Sequence, residues 1–219
     1  MAAQKFKKQR KPPILIVVEG ETEEKYFQSL RSDFRLSMLY IEKGKHTDAP
    51  SLIDEAELLF KNGKTANAKL SRASQKTYPK KYFSKVFIVF DMDEKLHDYD
   101  VAMQKVSKLN KLNLKTAWYS KSNREYVEFK AIPSIPNFEL WVLLHFETIS
   151  AHEMSIDMSS KRIRKFIPNY RKGDPELYLA IKDNTAIAID RARKLLSCST
   201  ETMDASTLVH VLVEQLIKL

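Results

Sequence analysis

The chain reads as an α/β protein: a mostly parallel sheet flanked by helices, with a helical extension at the C-terminal end. Three observations carry this. Ile14 to Val18 and Val86 to Phe90 are unbroken apolar runs rich in β-branched and aromatic residues, the composition of strands covered on both faces. The segments between and after them space their apolar residues as helices do. From Pro133 onward strand signals give way to helical ones, and 219 residues suffice for one well-packed core with a smaller appendage.

In chain order, residues 1–12 form a basic tail that Pro12 and Pro13 help to terminate. Ile14 to Val18 is the first strand. Thr22 to Leu30 reads as a helix with acidic residues in its first turn and Tyr26, Phe27 and Leu30 on its packing face. Leu36 to Ile41 is expected to be a strand, and Pro50 to Phe60 a helix with Leu52, Ile53, Ala56, Leu59 and Phe60 inward. A lysine-rich excursion follows, longer than ordinary α/β connections. Val86 to Phe90 is the second clear buried strand, followed by a helix from about Tyr99 to Leu109 and a further strand from Leu114 to Tyr119. Repetition of this kind favours parallel strands with right-handed crossovers. The core is thus drawn as 13–130 and the helical extension as 131–219. In the extension, Pro136 to Phe146 is an apolar, aromatic helix, and helices are expected near 159–166, 175–181, 184–196 and 205–218.

Composition narrows the class. Apolar residues make up 43% and charged residues 30% of the chain, with 8 prolines and 4 glycines, which excludes a disordered polymer. Cys198 is the sole cysteine, so neither a disulfide framework nor a thiolate zinc site can be built, and a reducing cytoplasm is the expected compartment. The N-terminal residues lack the apolar stretch of a secretory signal, and no run approaches membrane-spanning length. The net charge of +9 is concentrated ahead of Val86. Within 61–85, Lys61, Lys64, Lys69, Arg72, Lys76, Lys80, Lys81 and Lys85 occur with no acidic residue. Such a run can attract a phosphate backbone; a solvated insertion serving only solubility has the same composition.

The chemistry-bearing pattern is acidic. Phe90 is followed by Asp91, Met92, Asp93 and Glu94, and Val18 by Glu19, Gly20 and Glu21. Carboxyl ends of strands in open α/β sheets are where such folds place their sites. Asp91 and Asp93, two residues apart across a turn, can face one divalent cation, with Glu19 as a further ligand or proton carrier. Mg²⁺ prefers this kind of hard oxygen set, and Mn²⁺ can replace it. Isolated Asp-x-Asp pairs are common in surface turns, so the matched acidic end of the first strand gives the pair its weight. Glu21, Glu23, Glu24 and Glu94 are weaker candidates, since first-turn acids stabilise helices without any metal. His145 reads either as a satisfied core histidine or as an auxiliary base or phosphate contact. His46 and His97 sit in loops near the ends of sheet elements, in no zinc-like spacing. Lys95 and Arg124 are candidate phosphate contacts, and equally residues that balance surface charge.

The segments Ile14 to Glu23 and Val86 to Glu94 resemble the topoisomerase-primase (TOPRIM) catalytic core. With Pro136 to Phe146 and Ser206 to Glu214 added, the chain more narrowly resembles the RloB-like family associated with abortive infection and restriction loci. The resemblance implies a TOPRIM-like sheet, with Glu19 as the acid/base or metal-associated glutamate and Asp91 with Asp93 as metal-binding aspartates. Glu139 and His145 match the family's helical motif, which either completes the cleft or supports it. Met92 stands where many relatives are expected to carry arginine.

The expected function is a Mg²⁺-dependent nuclease acting on DNA or RNA in a phage-defence or restriction-associated system, with an ATPase or other defence protein as a candidate partner. Two alternatives stand beside it. One is a non-catalytic nucleic-acid-binding or regulatory subunit. The other is an aspartate-based phosphohydrolase, disfavoured because Glu94 and Lys95 replace the small residues that chemistry places after its aspartates. Fold resemblance does not select the reaction, and a topoisomerase or primase would need machinery for which this chain has little room.

Overall fold

The computed structural model describes residues 11–63, 78–117, 126–152 and 156–219, and of 156–159 the backbone. Five strands form one sheet in the order β2-β1-β3-β4-β5: β1 Ile14–Val18, β2 Leu39–Lys43, β3 Lys85–Asp91, β4 Glu128–Ile135 and β5 Ser206–Thr207. The first four are parallel and β5 is an antiparallel edge. The expected α/β class is thus the observed one. All five residues of β1 are buried, as its unbroken apolar run requires of a strand with neighbours on both sides.

Helices cover both faces, and the strand alternation sorts the core into two layers. Ile14, Ile16, Val18, Phe87 and Val89 point to one side. There they meet α1 (Glu21–Asp33) and the C-terminal helices α4 (Glu139–Leu143), α5 (Ile156–Ile163), α6 (Leu177–Ile181), α7 (Thr185–Cys198) and α8 (Val209–Ile217). Leu15, Val17, Val86, Ile88 and Phe90 point to the other, against α2 (Ala49–Asn62) and α3 (Leu96–Lys111). The extension is therefore the covering layer of one sheet face. Among the described residues no helix is long and apolar enough to cross a membrane.

Several elements depart from expectation for local reasons. The second strand begins at Leu39, not Leu36, because Arg35 takes a left-handed conformation (φ 52°) and Leu36 N–H closes back on Arg31 O; the chain must turn out of α1 first. The strand expected from Leu114 to Tyr119 is, within the described residues, a single antiparallel bridge between Lys115 and Tyr126; Trp118 and Tyr119 lie outside them. A full strand, β4, was not expected at all. Its sequence mixes Glu128, Lys130 and Pro133 with apolar residues, which hides it from a search for apolar runs. Pro133 is tolerated because its carbonyl accepts from Leu208 N–H. Its nitrogen faces the same side, where β5 contributes only two residues. The sheet therefore runs past residue 130 into the region expected to be wholly helical, and Ser206–Thr207 closes it. Finally, α4 is short: His145 sits in the turn that follows it.

The register sets up the site. Val18 pairs with Val89 and Asp91 with Ser134, so β3 runs two residues past β1 and sets Asp91 beside the residues that leave Val18. Glu19 N–H continues the ladder by donating to Val89 O at 3.1 Å.

Candidate active site

Five buried or half-buried carboxylates gather at the carboxyl edge of the sheet, and exposed Glu21 lines the same cleft. Glu19 follows β1, and its Oε2 accepts from Asp91 N–H at 3.2 Å, tying the two strand ends together. Asp91 ends β3; its Oδ1 is sealed from solvent with no hydrogen-bond partner among the described residues. Asp93 occupies a left-handed conformation (φ 46°), one that aspartate tolerates better than most side chains. Its N–H donates to Pro136 O, while Met92 N–H donates to Ser134 O. The loop after β3 is thereby clamped to the end of β4. Met92 itself is buried, so the position at which an arginine was expected carries a thioether packed inward.

Glu139 enters from α4, 2% exposed, and accepts from Tyr170 O–H at 3.1 Å. Glu23, 4% exposed, comes from the first turn of α1. Gly20 leaves room for it: a Cβ there would stand 2.4 Å from Glu23 Oε2. A loop between α5 and α6 covers this group. Gly173, at φ 73°, donates its N–H to Thr22 Oγ1 (2.9 Å) and receives Lys25 Nζ at its carbonyl (2.6 Å). So anchored, the loop brings Lys172 Nζ to 3.5 Å from Glu139 Oε1. Glu19, Glu23, Asp91, Asp93, Glu139 and Lys172 line one cleft of about 240 Å³, together with Thr47 from the β2–α2 loop.

The electrostatics follow from crowding like charges in a sheltered place. Burial pushes the Glu23 carboxyl up to about 7, with Glu139 and Glu19 adding to the push and Lys172 opposing it. Burial is also the chief reason the Asp91 carboxyl is raised well above its ordinary value, with Glu23, Glu139, Glu19 and Asp93 acting in the same direction. Glu19 is raised by burial against the lowering effect of the Asp91 N–H. Burial disfavours the Lys172 ammonium, but Glu139, Asp91 and Glu23 outweigh it and hold the amine above the usual lysine range.

The donor set suits a hard divalent cation: the groups are carboxylates, one oxygen of Asp91 is sealed and unpartnered, and negative charge exceeds what Lys172 can balance. As they stand the side chains are not a finished coordination shell. Among the described residues, no three acidic, histidine or cysteine groups are placed to hold one metal ion.

Of the residues singled out from sequence, Glu19, Asp91, Asp93 and Glu139 converge in the cleft, and of the weaker candidates Glu21 and Glu23 line it too. Lys95 lies on its rim, exposed, with Nζ 3.4 Å from Thr47 O. His145 does not line the cleft. It is 2% exposed, its Nδ1 faces Trp141 O at 2.9 Å, and its ring packs edge-on against Trp141. Burial lowers the imidazole to about 4, which suits a neutral core residue. The basic run also lies elsewhere. Lys85 begins β3, so about six residue steps, roughly 20 Å, separate it from Asp91. Lys81 N–H bonds Phe60 O late in α2, and Lys61 pairs with Glu57; both belong to the amino edge of the sheet, as does the neighbouring Lys80. Lys64, Lys69, Arg72, Lys76 and Arg124 lie outside the described residues.

Glu23, only a weaker candidate from sequence, stands in the cleft, and Tyr170 and Lys172 were missed as site residues. Glu23 had a signal: in a helix that starts directly after an acidic strand end, Cβ vectors tilt toward the N-terminus and aim a third-position side chain back at that end. Tyr170 and Lys172 had none, since they reach the cleft only through the docking of a distant loop.

Fold and site define an α/β protein with an acidic cleft at the carboxyl edge of a mostly parallel sheet, roofed by its own helical extension. The chain belongs to the RloB-like protein family, whose model matches residues 14–216. Neither curated proteins nor solved structures yield a match.

Proposed function

We propose that this chain is a Mg²⁺-dependent, TOPRIM-like nuclease that hydrolyses phosphodiester bonds in DNA or RNA. The observation that carries the proposal is Asp91: a sealed, unpartnered carboxylate oxygen at a strand end, ringed by Glu19, Glu23, Asp93 and Glu139. A structural acid would be expected to have its lone pairs satisfied. Asp91, Asp93 and Glu19 would hold the ion, which would polarise the phosphate and stabilise charge on the leaving oxygen.

The chain's own groups have distinct tasks in this reading. Glu19 is fixed by the Asp91 N–H, so the two strand ends keep their spacing. Glu23, held near neutrality by burial and its neighbours, is suited to holding or passing a proton. Glu139 is oriented by Tyr170 O–H, and Lys172 places an ammonium where a phosphate oxygen could meet it. The cytoplasmic, phage-defence or restriction setting and an ATPase partner belong to the same proposal.

A second reading, a nucleic-acid-binding subunit without turnover, is favoured by the Lys172–Glu139 ion pair, which partly neutralises the cluster unaided. Incubation of the purified chain with single- and double-stranded DNA and RNA, in Mg²⁺, Mn²⁺ or EDTA, separates the two. Expected is metal-dependent cleavage abolished by Asp91→Asn, Asp93→Asn or Glu19→Gln in folded protein. Binding without cleavage, unchanged in those variants and with the candidate ATPase supplied, establishes the second reading. A phosphoaspartate trapped on Asp91 would overturn both.

A further inference from the structure

Residues 161–172 carry Lys161, Arg162, Arg164, Lys165, Arg171 and Lys172 with no acidic residue. The segment is the last turn of α5 and the loop that roofs the acidic cleft. Buried Ile163 roots it in the core, while Lys161, Arg164, Lys165, Arg171 and Lys172 are exposed. Lys161, Arg162 and Lys165 line a cleft of about 270 Å³ with Glu147. Glu147 pairs with Arg162 at 2.5 Å; among the described residues no carboxylate pairs with Lys161, Arg164, Lys165 or Arg171. Such an unbalanced cluster attracts polyanions.

Two further features give the patch a direction and a chemistry. Arg164 Nε donates to Tyr170 O (3.2 Å), and Tyr170 O–H donates to Glu139 Oε1 (3.1 Å). The cations therefore lead along one braced loop to Lys172 at the edge of the carboxylate cleft. Phe166 stands among them, 41% exposed, and stacks face to face on Phe146 with centroids 4.8 Å apart and planes 4° from parallel. An exposed ring backed by a second ring amid basic residues is a platform for an unpaired base, and a basic track beside it suits the phosphates of the same strand.

We infer that the α5 end and the 164–172 loop bind a single-stranded nucleic acid, with Lys161, Lys165 and Arg171 on its phosphates and Phe166 under a base, and guide it toward the Asp91 cleft. The guiding role rests on the nuclease reading above; the binding does not. The track also supplies, on the cleft's own side, the backbone affinity that the described lysines of 61–85 cannot, since those sit at the opposite edge of the sheet.

The test uses the full chain carrying Asp91→Asn, in EDTA, so that nothing is cut. Fluorescence anisotropy measures affinity for a labelled single strand, the matching duplex and an abasic single strand at several salt concentrations. Expected is preference for the base-bearing single strand. Lys161→Glu with Lys165→Glu should weaken binding at least ten-fold and flatten the log–log salt slope by about 1.4, two phosphates at roughly 0.7 each. Phe166→Ala should remove most of the preference over the abasic strand, with Phe166→Leu as a variant that keeps the packing on Phe146. The inference is overturned if the double charge reversal binds like its parent. It is also overturned if Lys80→Glu with Lys81→Glu costs as much, or if the patch binds anionic lipid vesicles but no oligonucleotide. Failure of the nuclease reading shows separately, as absence of cleavage by the unmodified chain in Mg²⁺ while this binding persists.

Discussion

Glu23→Gln should make the metal-free protein more stable, and only above acid pH. The Glu23 carboxyl moves from 4.5 when unfolded to about 7 in the fold, mainly through burial. Folding therefore favours its protonated form. At pH 4 both states hold the proton and there is no penalty. Between 4.5 and 7 the native state keeps a proton that the unfolded chain releases, so stability falls as pH rises. Above 7 the full cost is present, roughly 3 kcal/mol at about 1.4 kcal/mol per pH unit of displacement. Glutamine is nearly isosteric and carries no charge, so it removes that cost. Urea denaturation in EDTA, at pH 4.5 and 8.5, measures the difference as a shift of midpoint at constant slope. Expected is near-equality at pH 4.5 and a gain approaching 3 kcal/mol for the variant at pH 8.5. Mg²⁺ should raise the midpoint of the parent at pH 8.5 more than that of the variant. A gain independent of pH, or a variant less stable at pH 8.5, would refute the picture of mutually repelling buried carboxylates.

Other expectations follow from the same geometry. The His145 imidazole should stay neutral down to about pH 4 with its proton on Nδ1, facing Trp141 O. Its depressed value predicts stability lost as pH falls from 6.5 toward 4. Nitrogen-detected NMR titration checks both, and a midpoint near 6.5 would contradict the burial. Gly173→Ala should cost about 1–2 kcal/mol, since φ is 73° and the new Cβ would lie 3.0 Å from the Glu21 carboxyl; a thermal melt reads this, and no loss would mean that the loop refolds freely. Lys172→Met should lower stability in EDTA at pH 8 by about 1 kcal/mol, read from the urea midpoint, because the ammonium is mostly exposed although its partner Glu139 is buried. High salt should shrink that difference. Trp141→Ala, at a fully buried site, should cost roughly 3–5 kcal/mol, measured by urea midpoint, because the extension packs on the sheet through α4.

The most legible parts of the sequence were those whose physics is local. Ile14 to Val18 and Val86 to Phe90 announced central strands because a strand covered on both faces must be apolar at every position. The acids at their ends fell at the sheet's carboxyl edge because parallel neighbours point the same way, which sets the end of β3 beside the residues that leave β1. Glu139 was reached through resemblance, and its burial under Tyr170 lends that placement a physical basis. β4 escaped because its charged residues and Pro133 blur the alternation, and only its seat between β3 and the brief β5 makes it a strand. His145 reads as core or base from sequence, and burial against Trp141 places it outside the cleft. Lysine content pointed to 61–85 for backbone affinity, but charge along a sequence carries no direction, and the described members of that run lie about the length of β3 away from Asp91. What the sequence by itself determined was the strands and the acids at their ends. Tertiary structure decided which other groups join those acids: Glu23 folded back by its helix, and Tyr170 and Lys172 carried in by a loop pinned through Gly173. Such a loop is placed by contacts with residues about 150 positions away, and no local pattern encodes a separation of that length.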